Sequence, residues 1–256
     1  MNNPSLQKFL DHRQFVRTDP YLVYLMGGLG NQLFQLAATW SIAETCGSGY
    51  FIKPCLQTKH SDIFYMDNLF KRWSHLMAPP ALPRAVSMRG YFQDHTLIQP
   101  RYTEFVEQLC WDGYDSLRGY DEIDDSAFLH VRGGDYLQEG FKQIHHVDLS
   151  EYYKTALERC SDVKHYYLFT NDLEYLDSLN WFDDVRHTVV RGENEIHDLF
   201  LMSQCARGGI AANSTFSWWG LYLDRNRDHL VIPERWFNVA KPSDGYYFPE
   251  ASVVAV

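Results

Sequence analysis

The residues best suited to chemistry lie in His130-Val-Arg-Gly-Gly-Asp-Tyr136. This segment follows the short apolar run Ala127-Phe128-Leu129, so it is expected to turn at the carboxyl end of a strand, the edge where open α/β sheets bind ligands. Arg132 offers a planar, permanently charged fork that fits a phosphate, and Gly133 and Gly134 let backbone N–H groups come close. Asp135, three residues beyond the cation, is near enough to handle a proton. The same residues would also make an ordinary surface salt bridge, so the segment does not decide the matter alone.

Two more segments place polar groups after a strand. In Phe169-Thr-Asn-Asp172, the residues Asn171 and Asp172 stand where a helix starts, the position of an N-cap. In Asn213-Ser-Thr-Phe-Ser-Trp-Trp-Gly220, Asn213, Ser214, Thr215 and Ser217 gather at the positive end of a helix dipole. Such an end is a seat for a diphosphate, worth roughly 0.3–2 kcal/mol from the dipole. Capping needs one of these residues, and the other three ask for another role; Trp218 and Trp219 are expected in the core. A fourth segment, Gly27-Gly-Leu-Gly-Asn-Gln-Leu-Phe-Gln35, looks like a dinucleotide fingerprint but has Leu33 where the third glycine belongs. The acidic residue due about twenty positions on is missing too, so NAD is not expected. What remains is a glycine turn feeding a helix, in which Gly30, Asn31 and Gln32 either touch a sugar or anion, or merely form the turn with Asn31 as cap.

The elements that position these groups follow from hydrophobic patterning. Residues 21–26 read as a strand, 32–46 as a helix closed by Gly47, and 50–52 as a second strand. The prolines of 77–84 make a loop, 89–94 reads as a strand and turn, and a helical stretch follows Pro100. From residue 126 strands and helices alternate, with strands at 127–131, 165–170, 186–191, 209–213 and 229–233. Helices are expected at 151–160, 171–179, 195–206 and 215–223 between them, and Asp148 and Glu151 are spaced as a capping box. Alternation of this kind implies an α/β fold with a parallel, doubly wound sheet. The expected organisation is an arm over 1–19, one half over 20–125 and a second over 126–256, with a cleft between the halves. The three motifs of the second half then meet around one crevice.

A formal net charge of −10 argues against nucleic acid or anionic lipid as a general partner, so any phosphate contact must be local. Five cysteines without a Cys-x-x-Cys pair suggest neither a disulfide framework nor a zinc site, and free thiols suit a reducing cytosol. The first twenty residues lack the apolar run of a signal peptide or membrane anchor, so a soluble, cytoplasmic protein is expected.

Taken in order, the glycine turn at 27–35, Gly-Tyr-Phe-Gln-Asp94, FLHVRGGDYL, FTNDLEYL, DLFLMSQC (198–205) and IAANSTFSWWG resemble the α-1,2-fucosyltransferases of glycosyltransferase family 11. The resemblance spans about residues 20–237. It implies a GT-B-like pair of Rossmann-like halves, the first for the acceptor and the second for GDP-β-L-fucose. It also implies metal-free, inverting transfer of fucose to O2 of a terminal β-galactose. Arg132 matches the arginine that binds the donor phosphate, His130 and Asp135 match its neighbours, and Asn171, Asp172, Asp198, Asn213, Ser214, Thr215 and Ser217 fall on the donor side. Most members carry two adjacent arginines, whereas here the second is Gly133.

The chemistry suits these residues apart from the resemblance. Breaking a glycosyl–phosphate bond puts negative charge on the leaving diphosphate, which Arg132 and the helix mouth at 214–217 would stabilise, so no metal or other cofactor is required. Glu122-Ile-Asp124 precedes a strand and is a poor metal motif. A carboxylate should take the acceptor hydroxyl's proton, for roughly 10²- to 10⁴-fold, with Asp135 the first choice and Asp94 the second. The alternatives are a carbohydrate- or nucleotide-sugar-binding protein that lost transfer with the second arginine, and a transferase with another acceptor or sugar.

Overall fold

The computed structural model describes residues 19–56, 61–82, 84–182, 184–192 and 194–256, so nearly all of the arm expected over 1–19 lies outside it. The described residues divide into two compact units, one ending at Asp112 and the other running from Gly113 to Val256.

The first unit holds a three-stranded parallel sheet in the order β2-β1-β3, built from β1 (Tyr21–Tyr24), β2 (Tyr50–Lys53) and β3 (Val86–Met88). Helix α1 (Leu29–Cys46) follows β1 and starts three residues earlier than expected, because extended Gly28 is its N-cap. Asn31 therefore sits inside the first turn and caps nothing. Fully buried Gln35 accepts the Met26 N–H at 2.9 Å and donates to the Gly90 carbonyl at 3.1 Å, tying the glycine turn to the 90–94 segment. That segment is not the expected strand. The strand lies just before it, and Phe92 at φ 51° turns the chain so that Asp94 can cap α2 (His95–Ile98). The helical stretch after Pro100 is the short α3 (Tyr102–Val106).

The second unit is a six-stranded parallel sheet of β4 (Ser126–Val131), β5 (His165–Thr170), β6 (His187–Val189), β7 (Gly208–Ile210), β8 (His229–Pro233) and β9 (Ser252–Val254). Its order, β6-β5-β4-β7-β8-β9, is that of a doubly wound sheet whose direction of growth reverses between β4 and β7. Strand β9 was not anticipated from the sequence; its short Ser-Val-Val run carries no alternation to betray it. The helices are α4 (Lys142–His145), α5 (Ser150–Arg159), α6 (Leu173–Asp177), α7 (Glu195–Gln204) and α8 (Thr215–Tyr222).

Period-two alternation along β4 sends Ala127, Leu129 and Val131 into a core with Tyr152, Tyr153 and Ala156 of α5 and Leu176 of α6. Phe128 points the other way, where its ring meets Phe169 edge-on at 6.4 Å. On that side Trp218 and Trp219 of α8 are fully buried, and Trp218 stacks on Tyr222 at 4.3 Å. Buried Arg227 closes the lower ends of α7 and α8. It donates to the carbonyls of Met202 at 2.7 Å, Gly220 at 2.6 Å and Leu221 at 3.0 Å, where helix dipoles favour a cation. Replacing it by Met leaves these carbonyls unsatisfied. Arg227→Met is expected to lower unfolding free energy by about 2–4 kcal/mol; a urea midpoint equal to the parent protein's would contradict this.

Candidate active site

The crossover between β4 and β7 opens a crevice at their carboxyl ends, and one cavity there is lined by both Arg132 and Asn213. Tyr136, His146, Tyr153, Tyr175 and Trp181 complete much of its wall. The arginine loop and the turn before α8 are thus brought to one hollow, as parallel strands in this order require. Tyr136 Oη also donates to the Asn213 carbonyl at 3.3 Å across it.

The loop after β4 is held from the neighbouring strand. Asn171 Oδ1 accepts the Gly133 N–H at 3.0 Å and Asp172 Oδ2 accepts the Gly134 N–H at 2.8 Å. Asp172 Oδ1 meanwhile caps α6 by accepting the Tyr175 N–H at 2.9 Å. The two glycine amides that the sequence offered to a phosphate are therefore occupied, and Asn171 and Asp172 brace the loop. Gly134 sits at φ +59°, a conformation that favours glycine. At Gly133 the constraint is space, because a Cβ there would meet Tyr175 Cδ1 at 2.7 Å and Asp172 Cβ at 2.9 Å.

Arg132 bonds Asp135 through Nη2, with both side chains mostly buried. Its guanidinium lies 5.0 Å from the centre of the Tyr136 ring, and its Nε is buried with no partner among the described residues. His130 is likewise buried with Nδ1 unpartnered, its ring 5.8 Å from that of Phe216 at the start of α8. Burial, reinforced by the charge of Arg132, pushes the His130 pKa down to about 3, so the ring is neutral. Asp198, in the first turn of α7, has Oδ1 sealed from solvent with no partner among the described residues, and burial raises its pKa to about 7.

At the other lip, Ser214 caps α8, with its hydroxyl 3.4 Å from the Phe216 nitrogen. Ser217 is fully buried and turns its hydroxyl toward the Ser214 carbonyl at 3.4 Å, while Thr215 is half-buried. Asn213 is a clamp: its amide donates to the carbonyls of His145 at 2.8 Å and Trp236 at 3.0 Å. Asn213, Ser214 and Ser217 thus have local duties, more than capping alone would suggest.

The remaining expected residues lie in the first unit. Asn31 Oδ1 accepts from Gln93 at 2.8 Å, Gln32 donates to the Gly27 carbonyl at 2.8 Å, and Gly30 is buried in the first turn of α1. Asp94 accepts from the Thr96 N–H at 2.9 Å and the Thr96 hydroxyl at 2.6 Å, so its carboxylate serves as a helix cap. Sequence reasoning missed Tyr136, Tyr175 and His145. The His145 ring lies 5.2 Å from that of Tyr136, and burial, with a contribution from Lys241, lowers its pKa. Only the aromatic residues flanking the arginine motif could have pointed to them. Among the described residues no group of three or more His, Cys, Asp or Glu side chains is placed to hold a metal ion. No helix among them is long and apolar enough to cross a membrane.

Residues 101–248, more than half of the chain, match the sequence profile of glycosyl transferase family 11. The chain belongs to this family. The matched span contains the whole arginine loop, Asn171, Asp172, Asp198 and the turn before α8, and leaves out Gly30, Asn31, Gln32 and Asp94. The chain is 32% identical over 166 residues to an O-antigen biosynthesis glycosyltransferase, WbnK, of Escherichia coli, covering 58% of this chain and 54% of that protein. It is 33% identical over 125 residues to an alpha-1,2-colitosyltransferase of Escherichia coli, covering 44% of this chain and 41% of that one. The alignments thus span about half the length of these relatives or less.

His130 and Asp198 act in opposite directions on stability. His130 has a depressed folded pKa, so its contribution is present above about 6.5 and is lost as pH falls toward about 3. Asp198 has a raised one, so its contribution is present below 3.8 and is lost as pH rises through about 7. Asp198→Asn should therefore flatten the decline of stability across about pH 4–7, read from urea midpoints at several pH values. A slope equal to the parent's would refute the buried-carboxyl assignment.

Proposed function

We propose that this chain is an inverting, metal-independent glycosyltransferase that moves L-fucose from GDP-β-L-fucose to O2 of a terminal β-galactose. The observation that carries this reading is the partly unmatched Arg132 beside Asp135 at the end of β4, with Arg132 and Asn213 lining one cavity, in a stretch that matches glycosyl transferase family 11. The GT-B-like two-half architecture implied by the sequence resemblance is part of the proposal.

On this reading the acceptor oxygen attacks the anomeric carbon, and the bond to the diphosphate breaks with its electron pair passing to GDP. Arg132 and the positive mouth of α8 stabilise that charge, which lets a protein cation do what a metal ion does elsewhere. Asp135 receives the hydroxyl proton, with Asp94 the second choice. Arg132 Nε, His130 Nδ1 and Asp198 Oδ1 are buried polar atoms that a bound donor would satisfy. Asn171, Asp172 and Asn213 hold the walls, Ser214, Thr215 and Ser217 form the helix mouth, and Gly30, Asn31 and Gln32 serve the acceptor.

A second reading concerns the donor sugar alone. The relative named an alpha-1,2-colitosyltransferase supports colitose as the sugar transferred. The discriminating experiment supplies lactose with GDP-fucose or GDP-colitose and no divalent metal, then measures GDP release and product linkage. A 1,2-linked fucosyl product is expected; GDP release with colitose only would select the second reading. Donor binding without turnover on any galactoside would favour a binding protein, and no binding would refute the donor assignment. Arg132→Ala should cut turnover by about 10²- to 10³-fold while the melting temperature is retained. Parent-like turnover would remove Arg132 from the reaction.

A further inference from the structure

Arg132 has two claimants for one nitrogen. A guanidinium grips an anion bidentately along one of two edges, Nε with Nη2 or Nη1 with Nη2, and each needs Nη2. That is the nitrogen bonded to Asp135. The Tyr136 ring, 5.0 Å away, lies against the guanidinium, which leaves those in-plane edges for polar partners. Relief from a neighbouring cation is blocked, because the next residue is Gly133 and the space a side chain would enter is filled by Tyr175 and Asp172. The loop itself has little freedom to bring a second donor, since Asn171 and Asp172 hold both glycine amides.

We propose that Asp135 is a donor-gated base: the donor diphosphate displaces it from Nη2 of Arg132, and only then is its carboxylate free to take the acceptor's proton. The donor therefore binds first. The inference deepens the functional reading above and rests on it. In the free protein the carboxylate and the guanidinium neutralise each other, so an acceptor arriving alone meets an occupied base. When the diphosphate takes the cation, Asp135 loses its partner and its carboxylate oxygen is free to accept the acceptor's O–H. The transfer then balances: the acceptor O–H bond yields its proton to Asp135, the new bond forms at the anomeric carbon, and GDP departs with the old bond's electrons to remain on Arg132.

Two measurements with GDP as the probe test this. By calorimetry, Asp135→Asn removes the intramolecular competitor and should bind GDP about three- to tenfold more tightly than the parent. By carbodiimide labelling with glycine ethyl ester and mass spectrometry, Asp135 of the parent protein should become more reactive when GDP is bound. Equal or weaker GDP binding by Asp135→Asn would overturn the gate while leaving the donor site intact. Tighter binding without increased labelling would also overturn it, since removing a nearby negative charge would then explain the gain. Failure of the parent protein to bind GDP would defeat the donor reading and the gate together.

Discussion

One mostly buried guanidinium organises the second unit's functional edge. Arg132 stands at the end of β4, where the sheet changes its direction of growth, with Nη2 on Asp135 and a buried Nε unpartnered. A cation in so enclosed a place is costly unless every donor is matched, and a carboxylate on one nitrogen leaves the matching incomplete. The unsatisfied atom is the structural sign that the site is shaped for an anion other than Asp135, one that takes Nη2 together with a second nitrogen. His130 Nδ1 and Asp198 Oδ1, in the same unit, are further sealed polar atoms without partners among the described residues.

The surrounding architecture keeps that cation still. Strand β5 contributes Asn171 and Asp172, which fix the backbone on either side of the Gly133–Gly134 bond, and Asp172 couples this grip to the cap of α6. Strand β7 delivers Asn213, which ties the opposite lip to the His145 and Trp236 carbonyls. Beneath, Arg227 gathers the carbonyl ends of α7 and α8. Hence the arginine loop is rigid in its backbone and adjustable only in which anion it holds, a division suited to a group that must bind a substrate and release a product.

Much of this was legible in the sequence for identifiable reasons. Strands β5 and β8 match the expected 165–170 and 229–233, because continuous apolar runs bounded by turns mark buried parallel strands. The meeting of Arg132 with Asn213 followed from alternation of strands and helices alone. Three things were not legible. The strand before Gly90 was misplaced because Phe92 adopts a left-handed turn that its residue type does not announce. The cap expected at the start of α6 is Asp172, but that Asn171, Asp172 and Asn213 also hold the chain's own backbone is not announced, since amides and carboxylates at strand ends look alike whether they meet a ligand or a loop. Nor does any local pattern reveal that Gly133 is pressed against Tyr175, a contact that depends on how closely β4 and β5 bring their loops.

The most direct test of the central claim watches the orphaned atom itself. In a protein labelled with nitrogen-15 in arginine, the Nε–H resonance of Arg132 is followed while GDP is added. The account predicts a large shift and slower solvent exchange for Arg132 as its unpartnered N–H finds the diphosphate. An Arg132 signal that stays where it was while GDP binds would contradict it.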